Sequence, residues 1–175
     1  VSRGKPLTAV DGSGGDTIVK TSRLGWLPKA GGKMTYGYRL HTQFEIFRGT
    51  VSRVDATGSK PKGEADERAV MARTVEPGRC YLMDRGYAKF LLWNVIHAAD
   101  SSYVCRVRDN SVYEVIEEKP LTAADRKAGV ISDQIVKFTA AKADSMPDHP
   151  VRLVVVSASE HTSRGSSATG SSTGP

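Results

Sequence analysis

One stretch narrows the choice of fold more than any other: Cys80-Tyr81-Leu82-Met83-Asp84-Arg85-Gly86-Tyr87, with a helical pattern directly behind it. Residues 79–83 are short and mostly apolar, as expected of a buried strand. Asp84 falls where that strand should stop, and Gly86 gives the following turn a flexible backbone. Ala88, Leu92, Val95, Ile96 and Ala99 then recur at i, i+4, i+7, i+8 and i+11, which predicts an amphipathic helix facing a sheet. Residues 102–108 return as a strand, with Tyr103, Cys105 and Val107 on one face and Arg106 and Arg108 on the other. A carboxylate at the mouth of a parallel-sheet strand is where α/β folds present chemistry. On local sequence alone, a solvated aspartate opening a loop is the commoner meaning of such a pattern.

The beginning of the chain repeats the layout. Residues 6–10 read as a short strand ending in Asp11-Gly12-Ser13, although Asp-Gly is also a common turn pair. Residues 12–35 read as a long basic loop with room for a short irregular strand, and Trp26 is its largest apolar anchor. Its glycines at 12, 14 and 15 do not make a phosphate loop, because the Gly-Lys-Ser/Thr ending is absent. Tyr38, Leu40, Thr42, Phe44 and Ile46 alternate with Arg39, His41, Gln43, Glu45 and Phe47, which predicts a strand buried mainly on one face, with His41 on the polar one. A turn at 48–50 and a strand at 51–57 complete a hairpin. Residues 65–75 lack Gly and Pro and predict a helix that Pro77-Gly78 ends.

From residue 109 the character changes. Strands are expected at 112–117, 131–138 and 151–157, with a helical turn at 121–127 opened by Thr122. Residues 162–175 are almost wholly Ser, Gly, Thr and Ala, a composition that cannot build a core and predicts disorder.

Composition sets outer limits. A chain of 175 residues suffices for one domain with a real core, and 25% charged with 39% hydrophobic residues argues for a globular protein. No apolar run approaches the roughly 20 residues that span a bilayer, and residues 1–30 lack the long apolar stretch of a signal peptide. Cys80 and Cys105 fall in expected buried strands and read as reduced core residues. A cytoplasmic protein with no membrane partner follows. Residues 1–53 hold nine Lys/Arg against three acids, the whole of the net charge of +6, and this basic third suits a polyanion such as DNA.

Asp11 and Asp84 are 73 residues apart and end the first and fourth strands of the core. Were those strands neighbours, the two carboxylates would converge, which is costly unless a cation neutralises them. Carboxylate and water ligands suit Mg²⁺ or Mn²⁺ better than zinc. Two such ions about 4 Å apart could activate a water or a 3′-hydroxyl for in-line attack on a phosphodiester.

The order of Asp11-Gly12-Ser13, the strand containing Tyr38 to His41, Asp84-Arg85-Gly86-Tyr87, and the basic strand with Arg106, Arg108, Asp109 and Asn110 resembles bacterial insertion-sequence transposases of the DDE type. The resemblance covers roughly residues 6–157 and points to the Tyr-Arg-Glu-Lys branch, the fourth insertion-sequence family. It implies a ribonuclease-H-like α/β fold, a mixed sheet with flanking helices. Residues 1–110 would form the first part of the catalytic core, 111–160 a β-rich insertion and 161–175 the disordered tail. It implies that Asp11 and Asp84 are the first two catalytic acids and the ligands of Mg²⁺ or Mn²⁺. The partners it implies are DNA, as transposon ends and target, and a second copy when the protein is full length, in the nucleoid of a bacterial cytoplasm. Lys20, Arg23, Lys29, Lys33, Arg39, His41, Arg85, Arg106 and Arg108 are the expected DNA contacts.

The third acid of that branch lies in the pattern Tyr-x2-Arg-x3-Glu-x6-Lys on a helix after the insertion. Tyr36 and Arg39 have the right separation but lead to Gln43; Tyr103 and Arg106 lead to Asn110; Glu160 lacks the pattern around it. The expectation is therefore a fold incomplete at its C-terminus, a fragment or truncated frame with no third acid, little turnover alone and an uncovered apolar sheet surface. Two other readings stand beside it. One is a non-catalytic DNA-binding remnant held by the basic residues of 1–53. The other is an unrelated two-metal nuclease whose third acid is Glu114, Glu117 or Glu118.

Overall fold

The apolar run at 80–83 and the alternation before residue 46 become strands of a single sheet, and their register decides where the two aspartates stand. The structure, a computed structural model, describes residues 5–16, 26–28, 34–58, 63–107, 111–139 and 146–157. The large sheet holds β1 (Leu7–Asp16), β2 (Trp26–Pro28), β3 (Met34–Glu45), β4 (Thr50–Gly58), β5 (Cys80–Met83) and β6 (Ser102–Cys105). Its order is β2-β3-β1-β5-β6, and β4 also pairs with β3. The β1–β3 and β3–β4 pairs are antiparallel, whereas β1, β5 and β6 run parallel, so the sheet is mixed.

Two helices connect these strands. Asp66 caps α1 (Glu67–Arg73) by accepting from the Arg68 N–H, which supplies one of the partners the first helical turn lacks. Helix α2 (Phe90–Ala98) buries Leu92, Trp93 and Ile96. Its buried stripe thus includes Trp93, while Val95, expected on that stripe, is 39% exposed. A second sheet follows, β7 (Tyr113–Glu118), β8 (Val130–Phe138) and β9 (Val151–Val156), in sequential antiparallel order. Between its first two strands lies α3 (Ala123–Lys127), whose Thr122 and Asp125 form a capping box.

Met71 of α1, the inner residues of α2, and Val136, Phe138 and Val151 of the second sheet join one hydrophobic cluster with Tyr81 and Met83. Aromatic contacts tie it together: Trp93 stacks on Tyr103 at 5.1 Å between centroids and meets Phe138 edge-on at 5.7 Å. All of this covers one face of the large sheet. The opposite face presents Phe44, Val51, Val54 and Val104, between 37% and 57% exposed.

Two expectations are overturned here. Asp11 does not end a strand: β1 runs on through Gly12 and Ser13 to Asp16, because β3 continues to pair with it as far as Gly37. The buried face of β3 is also the reverse of the one expected. His41, Gln43 and Glu45 are buried, and Phe44 is exposed. Polar residues can take the covered side because each finds a partner there: Gln43 Nε2 donates to Thr74 Oγ1 at 3.0 Å, Glu45 pairs with Arg79 at 2.8 Å, and His41 Nε2 meets Thr57 Oγ1 at 2.9 Å. The tail at 161–175 lies outside the described residues.

Candidate active site

Strand β5 is parallel to β1, with Leu7 beside Cys80, Thr8 beside Tyr81 and Ala9 beside Leu82. The pairing ends at Ala9 and Leu82; continued two positions further, the same register would set Asp11 opposite Asp84. Alternation along both strands puts the two on the open side, since Thr8, Tyr81 and Met83 take the covered one. Both aspartates are exposed. The phenol of Tyr87 senses both: burial first, then the charges of Asp11 and Asp84, push its pKa up to about 12.

Each carboxylate is oriented by short-range hydrogen bonds. Ser13 Oγ donates to Asp11 Oδ2 at 3.0 Å. Asp84, extended at ψ −179°, caps the 3-10 turn Arg85–Tyr87, and its Oδ1 accepts from the Gly86 N–H at 2.9 Å. That contact explains the glycine: a Cβ at position 86 would lie 3.0 Å from the same oxygen. The Asp84 carbonyl accepts from the Cys105 thiol at 3.3 Å, and burial, its largest influence, pushes that thiol up to about 11, so it stays a donor. On the covered side of Gly12, Glu67 pairs with Arg39 and approaches so closely that a Cβ there would meet Glu67 Cδ at 2.7 Å.

The remaining expected site residues divide into three groups. Arg85 and the exposed Arg106 stand at the same strand ends as Asp84, Arg106 through its N–H bond to the Met83 carbonyl at 3.4 Å. Arg39 is present but engaged with Glu67, and His41, expected on the exposed face, is 5% exposed, with its Nε2 against Thr57. Burial first, then Arg39, lowers the His41 pKa, so its imidazole is neutral near pH 7. Lys20, Arg23, Lys29, Lys33 and Arg108 lie outside the described residues, as do Asn110 and Glu160. Gln43, reached from Tyr36 and Arg39, is on a strand and buried, not on a helix. Glu114, Glu117 and Glu118 stand exposed on β7 in the second sheet.

Among the described residues, no group of three or more His, Cys, Asp or Glu side chains could hold a metal ion. The pair Asp11 and Asp84 fits a hard divalent cation in donor type, since Mg²⁺ is commonly held by one or two carboxylates and otherwise keeps its waters. Tyr87 is a residue beside the site that periodicity did not single out; its signal was its place in the Asp84-Arg85-Gly86-Tyr87 turn. No helix among the described residues is long and apolar enough to cross a membrane.

Residues 2–165 match the family model described as "Transposase DDE domain". A protein of Sinorhizobium fredii named "Putative transposase y4zB" is 24% identical over 132 residues, which covers 75% of this chain and 36% of that protein. The chain thus spans little more than a third of the length of the curated relative it matches. No solved structure matches it.

Proposed function

The chain belongs to the transposase DDE domain family, and on that premise we propose that it is the ribonuclease-H-like part of a DDE transposase of the Tyr-Arg-Glu-Lys branch. In this reading Asp11 and Asp84 are the first two catalytic acids and hold Mg²⁺ or Mn²⁺. DDE transposase domains use divalent metals, and a bound cation supplies an activated oxygen nucleophile and relief of charge on the leaving oxygen. The work of this chain would be to hold the two carboxylates at adjacent positions, with Ser13 and Gly86 fixing their orientation. Arg85 and Arg106, with the basic residues of 1–53, would hold the DNA backbone at transposon ends and target.

The observation that supports the reading is the parallel pairing of β1 with β5, whose last pair, Ala9 and Leu82, stands two residues before Asp11 and Asp84. The third acid would come from outside the described residues, on a helix that covers the open sheet face. A chain that supplies two acids should bind a divalent cation weakly and turn over little. Titration with Mn²⁺ is expected to broaden the Gly12 and Gly86 amide resonances selectively, and Asp84→Asn should remove that effect. Absence of selective broadening would sink the metal assignment. Strong Mg²⁺-dependent nicking of DNA by this chain, abolished by Asp84→Asn, would overturn the expectation of little turnover instead.

A second reading has its own support, since no third acid joins the pair among the described residues. In that reading the chain is a non-catalytic DNA-binding module. DNA binding would then survive Asp11→Asn and Asp84→Asn and fall steeply with salt.

A further inference from the structure

Three buried polar atoms, His41 Nδ1, Gln43 Oε1 and the Tyr87 hydroxyl, have no hydrogen-bond partner among the described residues, and the three residues that carry them line one small cavity. The cavity lies between β3, α1 and the turn after Asp84, with Val70, Met71 and Thr74 on its helix side. It offers about 10 Å³ to the centre of a water molecule, which is room for one. Buried polar atoms are rarely left unpaired, and internal waters bind where two to four of them converge.

We propose that His41, Gln43 and Tyr87 bind one internal water, and that this water makes Tyr87 a positioning residue for the turn that carries Asp84. The hydrogen-bond inventory closes around it. Gln43 Nε2 is committed to Thr74, so Gln43 Oε1 accepts from the water. His41 is neutral, and with Nε2–H directed at Thr57 its Nδ1 accepts the water's second proton. The Tyr87 hydroxyl then donates to the water oxygen. The anchored ring sits one turn beyond Asp84, and the Tyr87 N–H bonds the Asp84 carbonyl at 3.2 Å. Freeing the phenol would therefore loosen the backbone turn on which the carboxylate is mounted. The water site stands on this geometry alone; its bearing on catalysis rests on the function proposed above.

The test uses the whole 175-residue chain and neither metal nor DNA, so it can fail without touching the transposase reading. A crystal structure that orders internal waters should show one within about 2.7–3.2 Å of all three atoms. A dry cavity, or a direct bond between Tyr87 and Gln43, overturns the site. Tyr87→Phe keeps the ring and removes the donor. It should raise amide hydrogen exchange at Gly86 and Tyr87 about tenfold while leaving Val136 in β8 unchanged. Unchanged exchange at Gly86, or a uniform rise that includes Val136, would mark the tyrosine as packing only and overturn its positioning role.

Discussion

The two faces of the large sheet are built on opposite rules. The covered face, under α1, α2 and the second sheet, carries Thr8, His41, Gln43 and Glu45, all buried and polar, beside Tyr81 and Met83. The open face carries Phe44, Val51, Val54 and Val104, apolar and exposed, and ends at the two aspartates. Polar residues under cover are tolerable because each is matched by a specific partner, such as Thr74 for Gln43 and Arg79 for Glu45. Apolar residues in the open need an explanation of another kind, and a contiguous exposed patch is the mark of a surface meant to be covered. The covered face is packed under helices and a second sheet; the open one has no such cover among the described residues.

The contrast breaks most severely where the covered face is densest. Trp93 is 1% exposed and touches Phe90, Tyr103 and Phe138, so it joins α2 to both sheets. Trp93→Ala is expected to cost about 3–5 kcal/mol in urea unfolding. A loss below about 1 kcal/mol would mean that the two sheets do not share a core in solution.

The next test weakens the lid rather than the core. Asp66 caps α1, the helix that shelters Gln43 and His41, and hydrogen bonding from the Arg68 side chain pulls its carboxyl down to about 2. A carboxyl lowered on folding contributes stability that is full above its unfolded pKa of about 3.9 and is lost as pH falls through the folded value. Partial exposure of the Arg68 pair discounts the gain to on the order of 1–2 kcal/mol. Unfolding free energy should therefore fall by that amount between about pH 4 and pH 2, relative to Asp66→Asn, which keeps a capping oxygen but not the charge. Parallel profiles for the two proteins would show that the Asp66 charge adds nothing to the stability of α1.

Much of this was legible before any coordinates. The strand, turn and helix around Asp84 follow from apolar run, glycine and helical period, and the capping residue Thr122 was readable from its chemistry. The side of β3 that faces inward was not. Period two says that faces differ, but not which is buried; hydrophobicity alone picks the wrong one, because the partners of His41, Gln43 and Glu45 lie 16 to 34 residues away. Val95 failed for a related reason. Its spacing suited the stripe, yet Trp93 fills the space between α2 and the second sheet, which sequence alone could not bring to the helix. The continuation of β1 past Asp11 is likewise a tertiary effect, since Gly12, Ser13 and Gly14 have little strand preference and β3 pairs with them regardless.

The smallest expected effect on stability is the sharpest test of the open face. Val54 on β4 and Val104 on β6 lie at opposite sides of the sheet and are 55% and 57% exposed. Val→Thr keeps the β-branch and strand preference while adding a hydroxyl, so it isolates burial. On a face that is open in solution, Val54→Thr and Val104→Thr should each change unfolding free energy by no more than about 0.5 kcal/mol. A variant that carries both changes should lower self-association measured by light scattering, because it removes exposed apolar surface from that face. A cost above about 1.5 kcal/mol for either valine, more than an exposed site loses, would show that something already covers this face. Unaltered association would mean that the exposed valines are merely tolerated, and that the open side of the sheet is as finished as the covered one.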